Sequence, residues 1–124
     1  ISAIKKAKKP KIVSSGNFGK QTGSTIIKTV DDEHNLEQFS SEYKKHGADI
    51  IFLCLPNNPL GECLDKDDVY EFLKTIDSNT LVVVDGAYQE YASFKDEKKR
   101  IDANDLISTF PNCIYLGTFS KAYA

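Results

Sequence analysis

Three stretches of the chain are apolar on consecutive positions: IIFLCL at 50–55, LVVV at 81–84 and CIYL at 113–116. A half-exposed strand would alternate apolar and polar residues, whereas an unbroken apolar run suits a strand buried on both faces, as in a sheet covered by helices on each side. The segments between these runs carry a helical period instead. From Asn35 onward, Leu36, Phe39 and Tyr43 recur at helical spacing, and Gly47 stands where such a helix would end. In LDKDDVYEFLKTI, Val69, Phe72, Leu73 and Ile76 mark one helix face, with Asp65 placed as its N-cap. Residues 105–110 read as a short helix, and YQEYASFKDEKKR as a polar loop or irregular helix.

Toward the amino end, residues 1–9 read as a short basic helix stopped by Pro10, followed by a strand start at 11–13. SSGNFGKQTGS at 14–24 is a Gly-rich polar connection, 26–30 a strand and DDEHN a turn. Strands that alternate with helices predict an α/β fold, a three-layer sandwich around a mostly parallel sheet with right-handed crossovers. At 124 residues the chain is read as one domain.

Composition adds exclusions. With 40% hydrophobic and 27% charged residues the chain is of the soluble globular type, and a net charge of −2 gives no reason to expect a nucleic-acid partner. The longest apolar run is far too short to span a membrane, so no membrane partner is expected and the expected location is cytoplasmic. Cys54, Cys63 and Cys113 are odd in number and lack CxxC spacing, which argues against a zinc site or a disulfide framework. Cys54 and Cys113 are expected to be buried spectators within strands. His34 and His46 stand isolated, without a second metal-ligand type at useful spacing, and no metal is expected.

Each apolar run is followed by a polar cluster: NNPLG at 57–61, DGAY at 85–88 and TFSK at 118–121. Parallel sheets bind ligands at the carboxyl ends of their strands, so the three clusters are expected to share one cleft. Taken singly, NNPLG is an ordinary turn, Asp85 a cap or surface residue, and Lys121 a solvated lysine. Together Asn58, Asp85, Tyr88, Thr118, Ser120 and Lys121 supply the groups needed to hold pyridoxal 5'-phosphate. The Lys121 amine would attack the cofactor's aldehyde, and Asp85 would pair with the pyridine nitrogen and keep it protonated. Asn58 and Tyr88 would hydrogen-bond the ring's phenolic oxygen. Thr118 and Ser120 would offer hydroxyls to the phosphate at a turn leading into a helix.

LPNNPLGE at 55–62, VVVDGAYQEY at 82–91 and YLGTFSKAYA at 115–124 occur in an order and at separations that resemble the histidinol-phosphate aminotransferases, within the fold type I pyridoxal-phosphate aminotransferases. The resemblance runs from about Lys20 to Ala124, the central part of that family's large domain. It implies a ring-oxygen contact for Asn58, cofactor contacts for Asp85 and Tyr88, and the catalytic, cofactor-bearing lysine at Lys121. It further implies a cis bond between Asn58 and Pro59, a homodimer with sites near the subunit interface, and transamination of histidinol phosphate with 2-oxoglutarate. A different amino-acid substrate within the same family, and a non-catalytic unit of the large domain, are the alternatives.

The family continues beyond its lysine into a Gly-rich stretch with a phosphate-binding arginine. It also has an upstream Gly-Ser phosphate loop, an aromatic that stacks on the pyridine, and a small domain with a carboxylate-binding arginine. None of these is matched here, so the residues present are expected not to sustain catalysis alone. Arg100, the only arginine, lies in the KDEKKR run and reads as part of a solvated face. The whole of 1–124 is thus read as a partial cofactor-binding large domain in which residues 1–19 depart from the family pattern. Of these, SSGNF at 14–18 resembles the asparagine loop of fold type II pyridoxal-phosphate enzymes, which implies a rearranged segment; a plain Gly-rich loop is the alternative. A nucleotide-binding P-loop is excluded, because Ser14 and Gln21 stand where GxxxxGK[ST] requires Gly and Ser or Thr.

Overall fold

The computed structural model describes residues 12–14, 25–26, 35–57, 61 and 63–123. The expected helix at 1–9 and most of the expected strand at 26–30 lie outside these residues, as does the Asn58–Pro59 bond. The peptide bond that is cis within the described part is Leu55–Pro56.

Five parallel strands form one sheet in the order β2-β1-β3-β4-β5. They are β1 (Ile12–Ser14), β2 (Thr25–Ile26), β3 (Ile50–Cys54), β4 (Leu81–Asp85) and β5 (Cys113–Leu116). Between them run α1 (Leu36–His46), α2 (Lys66–Lys74), α3 (Gln89–Lys95) and α4 (Ala103–Thr109), with a 3-10 turn at Glu97–Lys99. The strand order reverses between β1 and β3, which is the doubly wound pattern.

The helix ends follow their sequence signals unevenly. The Asn35 side chain caps α1 by accepting from the Gln38 amide at 3.0 Å, as expected of an N-cap asparagine. Gly47 closes α1 with φ +63°, donating its amide to the Tyr43 carbonyl at 2.8 Å. Asp65 does occupy the N-cap position of α2, but its side chain makes no cap hydrogen bond. The α4 helix is capped by Asp102, three residues ahead of the expected start at Asp105, through a 2.9 Å bond from the Asp105 amide.

The core lies on one face of the sheet. Ile51, Leu53, Val82, Val84 and Cys113 pack there against Phe39 of α1, Val69, Phe72 and Leu73 of α2, and Leu106 of α4. Strand register puts Phe52, Val83 and Ile114 side by side on the opposite face. That face is less covered at β5, where Ile114 is 44% and Leu116 47% exposed, while Val83 beside them is 7% exposed, so the expected burial on both sides holds for β4 and not for β5 among the described residues. An unbroken apolar run shows that a strand tolerates burial on two faces; what covers each face is decided by other segments. Of the described helices, α1, α2 and α4 contribute side chains to the core on the first face.

Candidate active site

Register also levels the ends of the three central strands. Cys54 pairs with Asp85 and Asp85 with Leu116, and the ladder continues one step further through amide bonds from Leu55 to the Asp85 carbonyl (2.9 Å) and from Gly86 to the Leu116 carbonyl (2.8 Å). The polar clusters that follow therefore leave the sheet at one height and on one edge, as parallel strands require.

Asp85 is the last residue of β4 and half-buried, on the less covered face beside Cys54 and Leu116. Its Oδ1 accepts from the Ala87 amide at 3.1 Å, which fixes the carboxylate at the turn. Gly86 is buried where the backbone passes close to the Tyr115 ring: a Cβ there would meet Tyr115 Cε2 at 2.7 Å. Burial, with the carboxylates of Glu90, Asp102 and Asp85 adding to it, raises the Tyr115 phenol above its ordinary pKa. Tyr88 stands at the N-cap of α3, half-buried.

Beyond β5 the chain turns at 118–122. The Thr118 and Ser120 hydroxyl oxygens lie 2.9 Å apart, and the Ser120 amide donates to Thr118 Oγ1 at 3.1 Å. Lys121 is exposed, and its Nζ lies 5.6 Å from the centroid of the Tyr88 ring. The fold thus brings together Asp85, Tyr88, Thr118, Ser120 and Lys121. Asn58 lies outside the described residues.

Two contributors escaped the sequence reading. The Tyr91 hydroxyl donates to the Lys121 carbonyl at 2.9 Å and so holds the lysine turn against α3; its three-residue spacing from Tyr88 on a helix is the signal that could have found it. Lys99 donates to Asp65 Oδ1 at 2.7 Å and to the Cys63 carbonyl at 3.0 Å. No sequence signal marks it, because the 34 residues that separate it from Asp65 meet only through the sheet.

The other singled-out residues stand apart. Arg100 is exposed and pairs with Glu97 at 3.1 Å, in keeping with a solvated face. His46, in the last turn of α1, lies 3.5 Å from Glu42; His34 is outside the described residues. Cys113 is buried, its thiol pushed up to about 11 by burial, whereas Cys54 is only half-buried, since it sits on the sheet's less covered face. A separate cavity of about 850 Å³, bordered by residues 65–68 and by Glu97, Lys98, Arg100 and Asp102, has mixed charge and touches none of the strand-end groups. No described helix is long and apolar enough to cross a membrane.

Comparison with known proteins agrees with this architecture. The family described as aminotransferase class I and II matches residues 20–124. Histidinol-phosphate aminotransferase of Aliarcobacter butzleri (strain RM4018) is 79% identical over 107 residues, covering 86% of this chain and 29% of that protein. The enzyme of the same name from Wolinella succinogenes is 59% identical over 106 residues, with the same coverage. Among solved structures, histidinol-phosphate aminotransferase from Sinorhizobium meliloti in complex with pyridoxal-5'-phosphate superposes with a TM-score of 0.76 at 26% identity, over 94% of this chain and 33% of that one. A decarboxylase from Sulfurospirillum multivorans has the same fold, with a TM-score of 0.75 at 16% identity. The chain spans about 29% of the length of the curated relatives it matches.

Proposed function

The chain belongs to the aminotransferase class I and II family, and on that premise we propose that it forms the cofactor-binding core of a pyridoxal-phosphate-dependent enzyme. The proposed reaction moves the amino group of histidinol phosphate to 2-oxoglutarate, a step of histidine biosynthesis. The observation that carries this reading is the Lys121 ammonium 5.6 Å from the centroid of the Tyr88 ring, the two residues following strands whose ends pair at Asp85 and Leu116.

The donor set suits the cofactor group by group. Pyridoxal phosphate, when bound, supplies an aldehyde that a lysine amine can attack and a pyridine ring that draws electrons from an adjacent carbon. Lys121 would supply the nucleophilic amine, and that amine, once free, would hold and move the proton of the substrate's α-carbon. Asp85, whose carboxylate accepts from the Ala87 amide, would pair with the ring nitrogen. Tyr88 and Asn58 would offer hydrogen bonds to the ring's phenolic oxygen. Thr118 and Ser120, whose hydroxyls lie side by side, would offer theirs to the phosphate.

Two features of the reading rest on family likeness alone, the imidazole-bearing substrate and a homodimer, while a cytoplasmic location is expected from the apolar pattern of the sequence. A second, narrower reading, in which these residues alone bind cofactor without turnover, goes with a chain that spans about 29% of the length of its curated relatives.

One experiment addresses both readings. Pyridoxal phosphate is added to the purified chain, the product is reduced with borohydride, and the modified lysine is located by peptide mass; histidinol phosphate and 2-oxoglutarate are then supplied and glutamate is assayed. Label on Lys121 with glutamate formation supports the full reading, and label without glutamate the narrower one. Label absent from Lys121, or spread evenly over the lysines, overturns both.

A further inference from the structure

Lys99 lies in a polar run, KDEKKR at 95–100, that by composition belongs to solvent. In the fold its ammonium donates to the Cys63 carbonyl at 3.0 Å and to Asp65 Oδ1 at 2.7 Å, both at the far end of the loop that leaves β3. Its backbone carbonyl accepts from Gln89 Nε2 at 2.8 Å. Gln89 is 6% exposed and directly follows Tyr88. A single residue therefore touches Cys63 and Asp65, just ahead of α2, with its side chain and Gln89, the first residue of α3, with its main chain.

Two further observations favour a purpose for this contact. Asp65 sits at the N-cap of α2, where a carboxylate ordinarily accepts from the helix's first amides, yet it makes no cap bond and faces Lys99 instead. The bond to Lys99 holds the Asp65 carboxyl below its ordinary pKa and Lys99 above its own, as a charge-assisted bond does. The loop is also tightly turned, with the Gly61 amide donating to the Asn57 carbonyl at 2.6 Å and Gly61 at φ +71°.

We propose that Lys99 is a positioning residue for the candidate cofactor site. Its two-sided contact ties Cys63 and Asp65, at the entry to α2, to Gln89 of α3, the residue that directly follows Tyr88. What the clamp serves rests on the cofactor reading above; the clamp itself does not.

The test compares Lys99→Met, Lys99→Arg and Asp65→Asn with the parent chain. Two quantities are read: the rate at which a thiol reagent labels Cys63, resolved from Cys54 and Cys113 by peptide mass, and the pyridoxal-phosphate concentration that half-saturates label at Lys121. Lys99→Met and Asp65→Asn are each expected to speed Cys63 labelling roughly fivefold, the factor for a charge-assisted bond discounted for solvent screening. The half-saturating concentration should rise by a similar factor while the melting midpoint stays near the parent's, and Lys99→Arg should restore most of both. Should Lys99→Met fail to fold, Asp65→Asn carries the test, since it keeps the lysine and the side-chain shape. Unchanged Cys63 labelling overturns the clamp, and faster labelling with unmoved half-saturation overturns the positioning role. If the parent shows no label at Lys121 while Cys63 still responds, the cofactor reading fails and the clamp stands.

Discussion

The Lys121 ammonium lies over the Tyr88 ring, 5.6 Å from its centroid, although 33 positions of sequence separate the two residues. The pairing brings the turn after β5 against the turn after β4 and gives the amine a face to rest on before any ligand arrives. Replacing Lys121 with Ala should abolish the covalent cofactor label altogether. Tyr88→Phe keeps the ring face and should weaken half-saturation less than Tyr88→Ala does, by roughly tenfold if the face is worth about 1 kcal/mol and the lost ring packing adds to it. Equal losses in the two Tyr88 variants would assign the effect to the hydroxyl.

Asp85→Asn separates charge from shape. The amide oxygen can still accept from Ala87, as Oδ1 does now at 3.1 Å, so thermal stability should change little. The charge that would pair with the ring nitrogen is lost, and cofactor affinity should fall by about tenfold or more, the scale of a charge-assisted bond. Titration with cofactor alongside a melting curve checks both halves.

Gly86→Ala is expected to destabilise the fold by about 1–3 kcal/mol through overpacking, because the new Cβ would reach within 2.7 Å of Tyr115 Cε2 and closer to the rest of the phenol. Denaturant midpoints would show the drop. In a Tyr115→Ala background the same substitution should cost much less, since neighbouring changes that share one cause are not additive. An equal cost in both backgrounds would place the strain in the backbone instead.

Alkaline pH should weaken the fold in part through Cys113. Burial raises its thiol from 9.0 to about 11 in the folded state, so the folded chain holds the proton more tightly than the unfolded one. The stabilisation is complete below about pH 9 and is lost as pH rises through about 11. Tyr70 and Tyr115 are also raised by burial and steepen the same limb. The specific signature is therefore a difference: between pH 9 and 11 the stability of Cys113→Ala should fall less steeply than the parent's, by up to about 1.4 kcal/mol per pH unit. Parallel slopes would show that the thiol does not titrate in this range.

The legible parts of this protein were those that one segment specifies by itself. Leu36, Phe39 and Tyr43 announce α1, and Asn35 and Gly47 its ends, because a helix closes its hydrogen bonds within a few residues. The Asp85–Tyr88 and Thr118–Lys121 clusters could be assigned to one cleft because parallel strands deliver their carboxyl ends to the same edge. The less legible parts needed distant segments. Asp65 has the right residue type and place for a cap, but an ammonium 34 residues away competes for its carboxylate and wins. Lys99 and Tyr91 look like surface residues until the folded chain supplies the Cys63 and Lys121 carbonyls they bind.

The sequence by itself determined the strands and helices, the parallel alternation and the residue types gathered at the strand ends, since these depend on local periodicity and on backbone geometry. Only the tertiary structure decided which face of the sheet is packed, that Asp85 shares the more open face with Cys54 and Leu116, and that Lys99 ties the entry of α2 to the start of α3. Those outcomes depend on register and on which distant group lies closest. Both are properties of the assembled sheet, and no single segment encodes either one.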